Sequence, residues 1–85
     1  MRFAPTCITM ADAGQALREG LASIAHGATL IDLSSLTRFD SSAVSAVLAW
    51  KRAGSALGRP VQIAGMPEGL LSLAQLYGLH EIMHS

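Results

Sequence analysis

Leu30-Ile31-Asp32-Leu33-Ser34-Ser35-Leu36-Thr37-Arg38-Phe39-Asp40-Ser41-Ser42-Ala43-Val44 is the stretch that decides how this chain folds. Its first part continues the nearly unbroken apolar run Ala28 to Leu33, the pattern of a strand that helices cover on both faces. Ser34 to Phe39 reads as a polar connector. From about Ser42 to Leu57 the apolar residues recur at helical spacing, with Val44, Val47, Leu48 and Lys51 on one stripe. A neighbouring stripe holds Ala43, Ala46, Trp50, Ala53 and Leu57. A buried strand therefore hands over to a helix at Asp40-Ser41-Ser42.

Working toward the N-terminus, residues 3–9 carry β-formers but contain Pro5, which cannot donate to a ladder, so a single short edge strand is expected. Thr9-x-x-Asp12 resembles a capping box with Asp where Glu or Gln is usual. The helix after it shows Ala13, Leu17, Leu21 and Ile24 on one side, and His26-Gly27 closes it. Toward the C-terminus, Gly58-Arg59-Pro60 is a turn and Val61-Gln62-Ile63-Ala64 a second buried strand. A third helix starts at Pro67, with Leu70, Leu73, Ala74 and Tyr77 inward and Gly78 as its stop. Ile82 and Met83 in the tail are available to pack back. The order is β-α-β-α-β-α, an α/β chain whose strands are joined as parallel neighbours by right-handed crossovers. Three strands make a thin sheet, and a short N-terminal edge invites pairing with a second copy.

The 85 residues form one domain, 1–85, 51% hydrophobic and only 14% charged, with aromatics at 5%, so the core must be aliphatic. So little polar material leaves apolar surface over, and a partner protein is the ordinary cover for it. Six basic and six acidic residues cancel, and the basic ones form no stripe, which argues against nucleic acid and against a polybasic membrane anchor. No apolar run reaches the length of about 18 residues that spans a bilayer. A single cysteine, Cys7, and no signal-peptide pattern make the cytoplasm the expected compartment.

Catalytic signatures are missing: no phosphate-cradling glycine loop, no nucleophile elbow, and no histidine pattern that would serve a hydrolase. His80 and His84 stand at i,i+4 in the tail and read as solvated residues rather than metal ligands. Cys7 has no activating neighbour in sequence and reads as a small buried hydrophobe. No enzyme, cofactor or metal is expected.

Asp40-Ser41-Ser42 carries the functional interest. Asp and Ser are standard N-cap residues, and a cap needs no further role. A hydroxyl there is also well placed for phosphorylation, because the helix dipole favours added negative charge. Trp50 shares a helix side with Ala43 and Ala46; it either packs inward or anchors a partner.

With these residues in view, Leu30-Ile31-Asp32-Leu33-Ser34-x-Leu36-x-x-Phe39-Asp40-Ser41-Ser42-Ala43-Val44 resembles the core signature of STAS domains. Leu73-Ala74-Gln75-Leu76-Tyr77-Gly78-Leu79 is similar to the third helix of the MlaB-type branch, the STAS subunit of the lipid-asymmetry ABC transporter of Gram-negative bacteria. The resemblance implies a STAS-like small mixed sheet with helices packed on it, usually with two strands before the first helix, and Ala43 stands where glycine is usual. It implies a non-catalytic subunit that binds and regulates the transporter's ATPase subunit, held peripherally at the inner membrane through that partner. It maps the sensitive hydroxyl of that branch onto Ser41. It maps the phosphorylated serine of the anti-sigma-factor antagonists, the other branch, onto Ser42. The expected partner surface is Arg38, Asp40, Ser41, Ser42, Ala46, Ala49 and Trp50, with Ser42 or Ser41 as the phosphorylation candidate. A phospho-switch antagonist in a partner-switching pathway is the alternative, and a docking domain without a switch the third reading.

Overall fold

Pro5 divides the N-terminal segment in two. Its ring removes the N–H that would continue a ladder, and the chain changes partner there. The computed structural model describes residues 2–76. Across them the elements run β1 (Arg2–Phe3), β2 (Cys7–Ile8), α1 (Ala13–Ala25), β3 (Leu30–Asp32), β4 (Arg38–Phe39), α2 (Ser41–Ala56), β5 (Gln62–Ala64) and α3 (Glu68–Leu76). The single edge strand expected over residues 3–9 is thus two strands, which restores the pair that the resemblance calls for. Tyr77, Gly78, His80, Ile82, Met83 and His84 lie outside the described residues.

The strands form two small sheets rather than one mixed sheet, and every described pairing is parallel. The first has the order β1-β3-β5, with Phe3 opposite Ile31 and Ile31 opposite Ile63. The second pairs β2 with β4, a strand inside the segment read as a polar connector. At two residues β4 is too short to show any alternation, and its partner lies some thirty residues earlier, so no local pattern announces it. In β3 only Ile31 is fully buried, while Leu30 and Asp32 are half-covered, so the strand alternates more than its apolar run suggested. Asp32 Oδ1 accepts the Ser34 N–H at 2.9 Å and the Ser34 hydroxyl at 2.6 Å, a local turn that ends the strand.

α1 buries Ala16, Gly20 and Ile24 most deeply, while Ala13, Leu17 and Leu21 of the expected stripe pack only partly. The cause sits on α2. Trp50 is 0% exposed, edge-on to the Phe3 ring at 5.3 Å between centroids, and its indole N–H donates to the Leu17 carbonyl at 3.2 Å. A Cβ built on Gly20 would fall inside that indole. The line of small residues on α1 must therefore face α2, and the leucines are turned to its flank. Gly27 takes φ +107° and ends α1 as expected. Arg59 adds a bond from its guanidinium to the Ile24 carbonyl at 3.0 Å.

The remaining core is aliphatic, as the composition requires: Ile8, Ile31, Leu33, Val47 and Leu70 are all buried, and no polar or charged side chain is buried among the described residues. Leu57, expected on the same stripe of α2 as Trp50, is the C-cap residue and stands 53% exposed. α3 starts one residue after Pro67, whose carbonyl accepts the Leu71 N–H at 3.0 Å, and it buries Leu70 and Ala74.

The Gly20–Trp50 contact has a testable sign. Ala is the better helix former by about 1 kcal/mol, so an uncrowded Gly20→Ala would stabilise the chain. Here it overpacks against an aromatic ring that cannot retreat, and we expect a loss of about 2–3 kcal/mol in chemical denaturation followed by Trp50 fluorescence. A variant as stable as the parent would show the contact to be wrong.

Candidate functional site: the N-terminal turn of α2

The β2–β4 register places Cys7 opposite Arg38 and Ile8 opposite Phe39. Being parallel, the two strands leave their ladder at the same level, and each runs straight on toward a helix. The N-termini of α1 and α2 therefore come to lie side by side at the carboxyl ends of the strands, the position where α/β folds generally place their sites.

Asp40 joins them. It is the N-cap of α2, with extended backbone at φ −141° and ψ −164°. Its Oδ1 accepts the Ser42 N–H at 2.9 Å and the Ser42 hydroxyl. Its Oδ2 accepts the Met10 N–H at 2.8 Å, from the loop between β2 and α1. One oxygen satisfies a free donor of the helix terminus, and the other ties down the neighbouring loop. The Asp40 N–H itself donates to the Ile8 carbonyl at 3.3 Å. The Ser42 hydroxyl, then the N–H groups of Met10 and Ser42, hold the Asp40 carboxyl below the ordinary carboxylate range.

The two serines, equivalent in sequence, are thereby separated. Both are half-buried, but Ser42 Oγ is committed to Asp40, and none of the bonds of this turn involves Ser41 Oγ. Met10 beside them is 79% exposed, an apolar side chain held out into solvent by a backbone bond to the capping carboxylate. Sequence reading missed it, since nothing local distinguishes a methionine in a loop.

A second carboxylate organises the start of α1. Asp12 stands at the N-cap position but makes no side-chain cap bond. Its Oδ2 accepts the Cys7 thiol at 2.9 Å and the Thr9 hydroxyl at 2.8 Å, and the Thr9 carbonyl takes the Asp12 and Ala13 N–H groups. The expected capping box is therefore a turn closed from the strand side. Cys7 is half-buried and hydrogen-bonded rather than the buried hydrophobe expected. The Asp12 hydrogen bond pushes the Cys7 thiol up, and the thiol and Thr9 hydroxyl together pull Asp12 down.

Of the expected surface residues, Asp40, Ser41 and Ser42 come together at the turn. Arg38 is exposed on β4, on the side of Cys7 and Asp12, where its charge acts weakly on both. Ala49 is half-buried on the outer side of α2, while Ala46 is buried beneath it. Trp50 is no surface anchor: its indole is enclosed by Phe3, Gly20 and the Leu17 carbonyl, and a fully buried ring has nothing to offer a partner.

Against known proteins, the sequence model of a family described as "Mlab, STAS domain" matches residues 8–84, nearly the whole chain. The chain belongs to the MlaB-type STAS domains. No curated protein matches it. STAS domains are in general non-catalytic regulatory modules. Among the described residues no group of three or more His, Cys, Asp or Glu could hold a metal ion, and no helix is long and apolar enough to cross a membrane.

Two measurements check these assignments. Because the folded Asp40 carboxyl titrates below its ordinary value of 3.8, the stability it confers is present above that value and lost as pH falls through the folded pKa. Asn still caps a helix but does not titrate. The melting temperature of Asp40→Asn should therefore fall less steeply on acidification than that of the parent, and parallel curves would show that Asp40 is not held as described. For Cys7, Asp12→Asn removes the carboxylate that accepts the thiol's hydrogen bond and repels the thiolate, so alkylation by iodoacetamide near neutral pH should become severalfold faster. An unchanged rate would break the Cys7–Asp12 assignment.

Proposed function

We propose that this STAS domain is a regulatory subunit that binds the ATPase subunit of a phospholipid-trafficking ABC transporter, through the N-terminal turn of α2 and the outer side of that helix. The MlaB-type family match supports the partner class. The observation that carries the surface is the division of labour between the serines: Asp40 fixes the backbone of the turn through Ser42, which leaves the Ser41 hydroxyl on a rigid platform and outside the clamp. A hydroxyl held still and not already bonded loses little entropy on meeting a partner group. Ser45 and Ala49 continue the same side of the helix with small side chains, over which another chain can approach closely. In this reading the protein works at the cytoplasmic face of the inner membrane, held there through its partner.

The test uses the purified chain and the ATPase subunit of a phospholipid-trafficking ABC transporter from the same organism. Ser41→Ala should weaken their association while the melting temperature stays that of the parent, a surface change being worth no more than about 0.5 kcal/mol of folding stability. Equal binding by Ser41→Ala and by the bulkier Ser41→Arg would remove this surface from the proposal.

One observation favours a second reading, the serine phospho-switch. The Ser42 hydroxyl donates to Asp40, so a phosphate there would replace a donor with about two negative charges against a carboxylate. The repulsion would loosen the bond from the Met10 N–H to Asp40 and free the loop before α1. Incubation with candidate kinases and ATP, followed by intact mass, decides it: a gain of one phosphate that Ser42→Ala abolishes supports the switch, and no gain at any serine rejects it.

A further inference from the structure

Residues 9–12, between β2 and α1, are held by hydrogen bonds rather than by packing. Met10 and Ala11 are exposed, and Thr9 and Asp12 are only half-buried. The loop takes its shape from within: the Thr9 carbonyl accepts the Asp12 and Ala13 N–H groups at 2.9 and 2.7 Å, and the Thr9 hydroxyl donates to Asp12. Among the hydrogen bonds of the described residues, the one from the Met10 N–H to Asp40 Oδ2, at 2.8 Å, ties this loop to the start of α2. A short exposed segment pinned in this way can open locally while the rest of the fold stays closed.

The loop also joins two carboxylate clusters. At Met10 it is bound to Asp40, whose other oxygen holds Ser42. At Asp12 it accepts the Cys7 thiol at 2.9 Å, in a cleft shared with Gln15 and Glu19. Thr9 aims the Asp12 carboxylate at Cys7, and Thr9 adjoins the pinned Met10. What happens to the pin is therefore felt at the thiol.

We infer that residues 9–12 are a strap coupling the α2 turn to Cys7: drawing Asp40 away from Met10 releases the strap, and Asp12 leaves the thiol. A donor or cation presented by a bound protein, or negative charge added at Ser42, acts on the same carboxylate and pulls the strap from that end. Coupling of this kind is reciprocal, so a group attached to Cys7 loosens the bond from Met10 to Asp40 in turn. The inference rests on the geometry of the two carboxylates and on neither reading of the partner.

The test needs only the purified chain. In Asp40→Asn the single carbonyl oxygen caps Ser42, and the amide nitrogen cannot accept the Met10 N–H. Alkylation of Cys7 by iodoacetamide should then run about fivefold faster than in the parent. Because Asp40 acts through Asp12, the double variant Asp12→Asn/Asp40→Asn should be no faster than Asp12→Asn alone. Hydrogen exchange in Asp40→Asn should rise more at the Met10, Asp12 and Ala13 amides than at that of the buried Ile31. Val61→Ala, a core truncation beside Gly54, is the control for a general loss of stability. Should Asp40→Asn melt below the assay temperature, Asp40→Ser, a cap too short to reach Met10, takes its place. An alkylation rate equal to the parent's overturns the inference. So do effects that multiply in the double variant, or an equal acceleration in Val61→Ala, since either means that the thiol is reached by another route. None of these outcomes decides whether the ATPase subunit binds, so the strap and the partner proposal stand or fall separately.

Discussion

A buried indole needs an acceptor and a flat space, and Trp50 finds both on α1. The Leu17 carbonyl takes its N–H, and the absence of a side chain at Gly20 makes room for its ring. Everything about how α1 and α2 meet follows from this pair of requirements. The helices approach along Ala16, Gly20 and Ile24 on one side and Ala43, Ala46 and Trp50 on the other, and Phe3 of β1 closes the ring from the sheet. Because small residues occupy the seam, the larger Leu17 and Leu21 are left half-covered at its margin. The apolar margin between the helices is thus a by-product of how the core is packed.

The second constraint is electrostatic and acts at the strand ends. Two parallel strands of two residues each would be weak alone, yet the groups that follow them are locked together. Asp40 binds forward to its own helix and sideways to the Met10 N–H, and Asp12 binds backward to Cys7 and Thr9. Each carboxylate sits where donors converge at a helix start, the place where a negative charge is most easily held. The result is a turn whose backbone is fixed from several directions while one hydroxyl, that of Ser41, stays outside the network. In the role proposed for this turn, such rigidity lowers the entropy lost on binding.

How much of this was legible beforehand depended on whether the signal was local. The helices were, because α1 and α2 repeat their apolar residues at helical spacing and are punctuated by Asp40, Gly27 and Gly58. The Asp40 cap was legible for the same reason: it bonds two residues onward. The β2–β4 ladder was not, because two residues hold no period and their partners are thirty positions apart. Trp50 was ambiguous for a different reason. Its stripe is made of alanines, and small neighbours are equally consistent with a docking face and with a tight helix seam. Only the position of Gly20 opposite it distinguishes the two.

The sequence by itself determined the α/β alternation, the aliphatic core, the handover at Asp40-Ser41-Ser42 and the MlaB-type STAS resemblance, all of which reside in spacing, composition or contiguous motif. Tertiary structure alone decided the rest: that Pro5 separates two strands instead of interrupting one, that Cys7 and Thr9 share the Asp12 carboxylate, that Ser42 is bound while Ser41 stands outside the clamp, and that Trp50 lies within the core. Each of these depends on contacts between residues whose separation carries no period. Such contacts are set by which surfaces the packed helices and strands bring together, and that is fixed only when the whole chain has found its place.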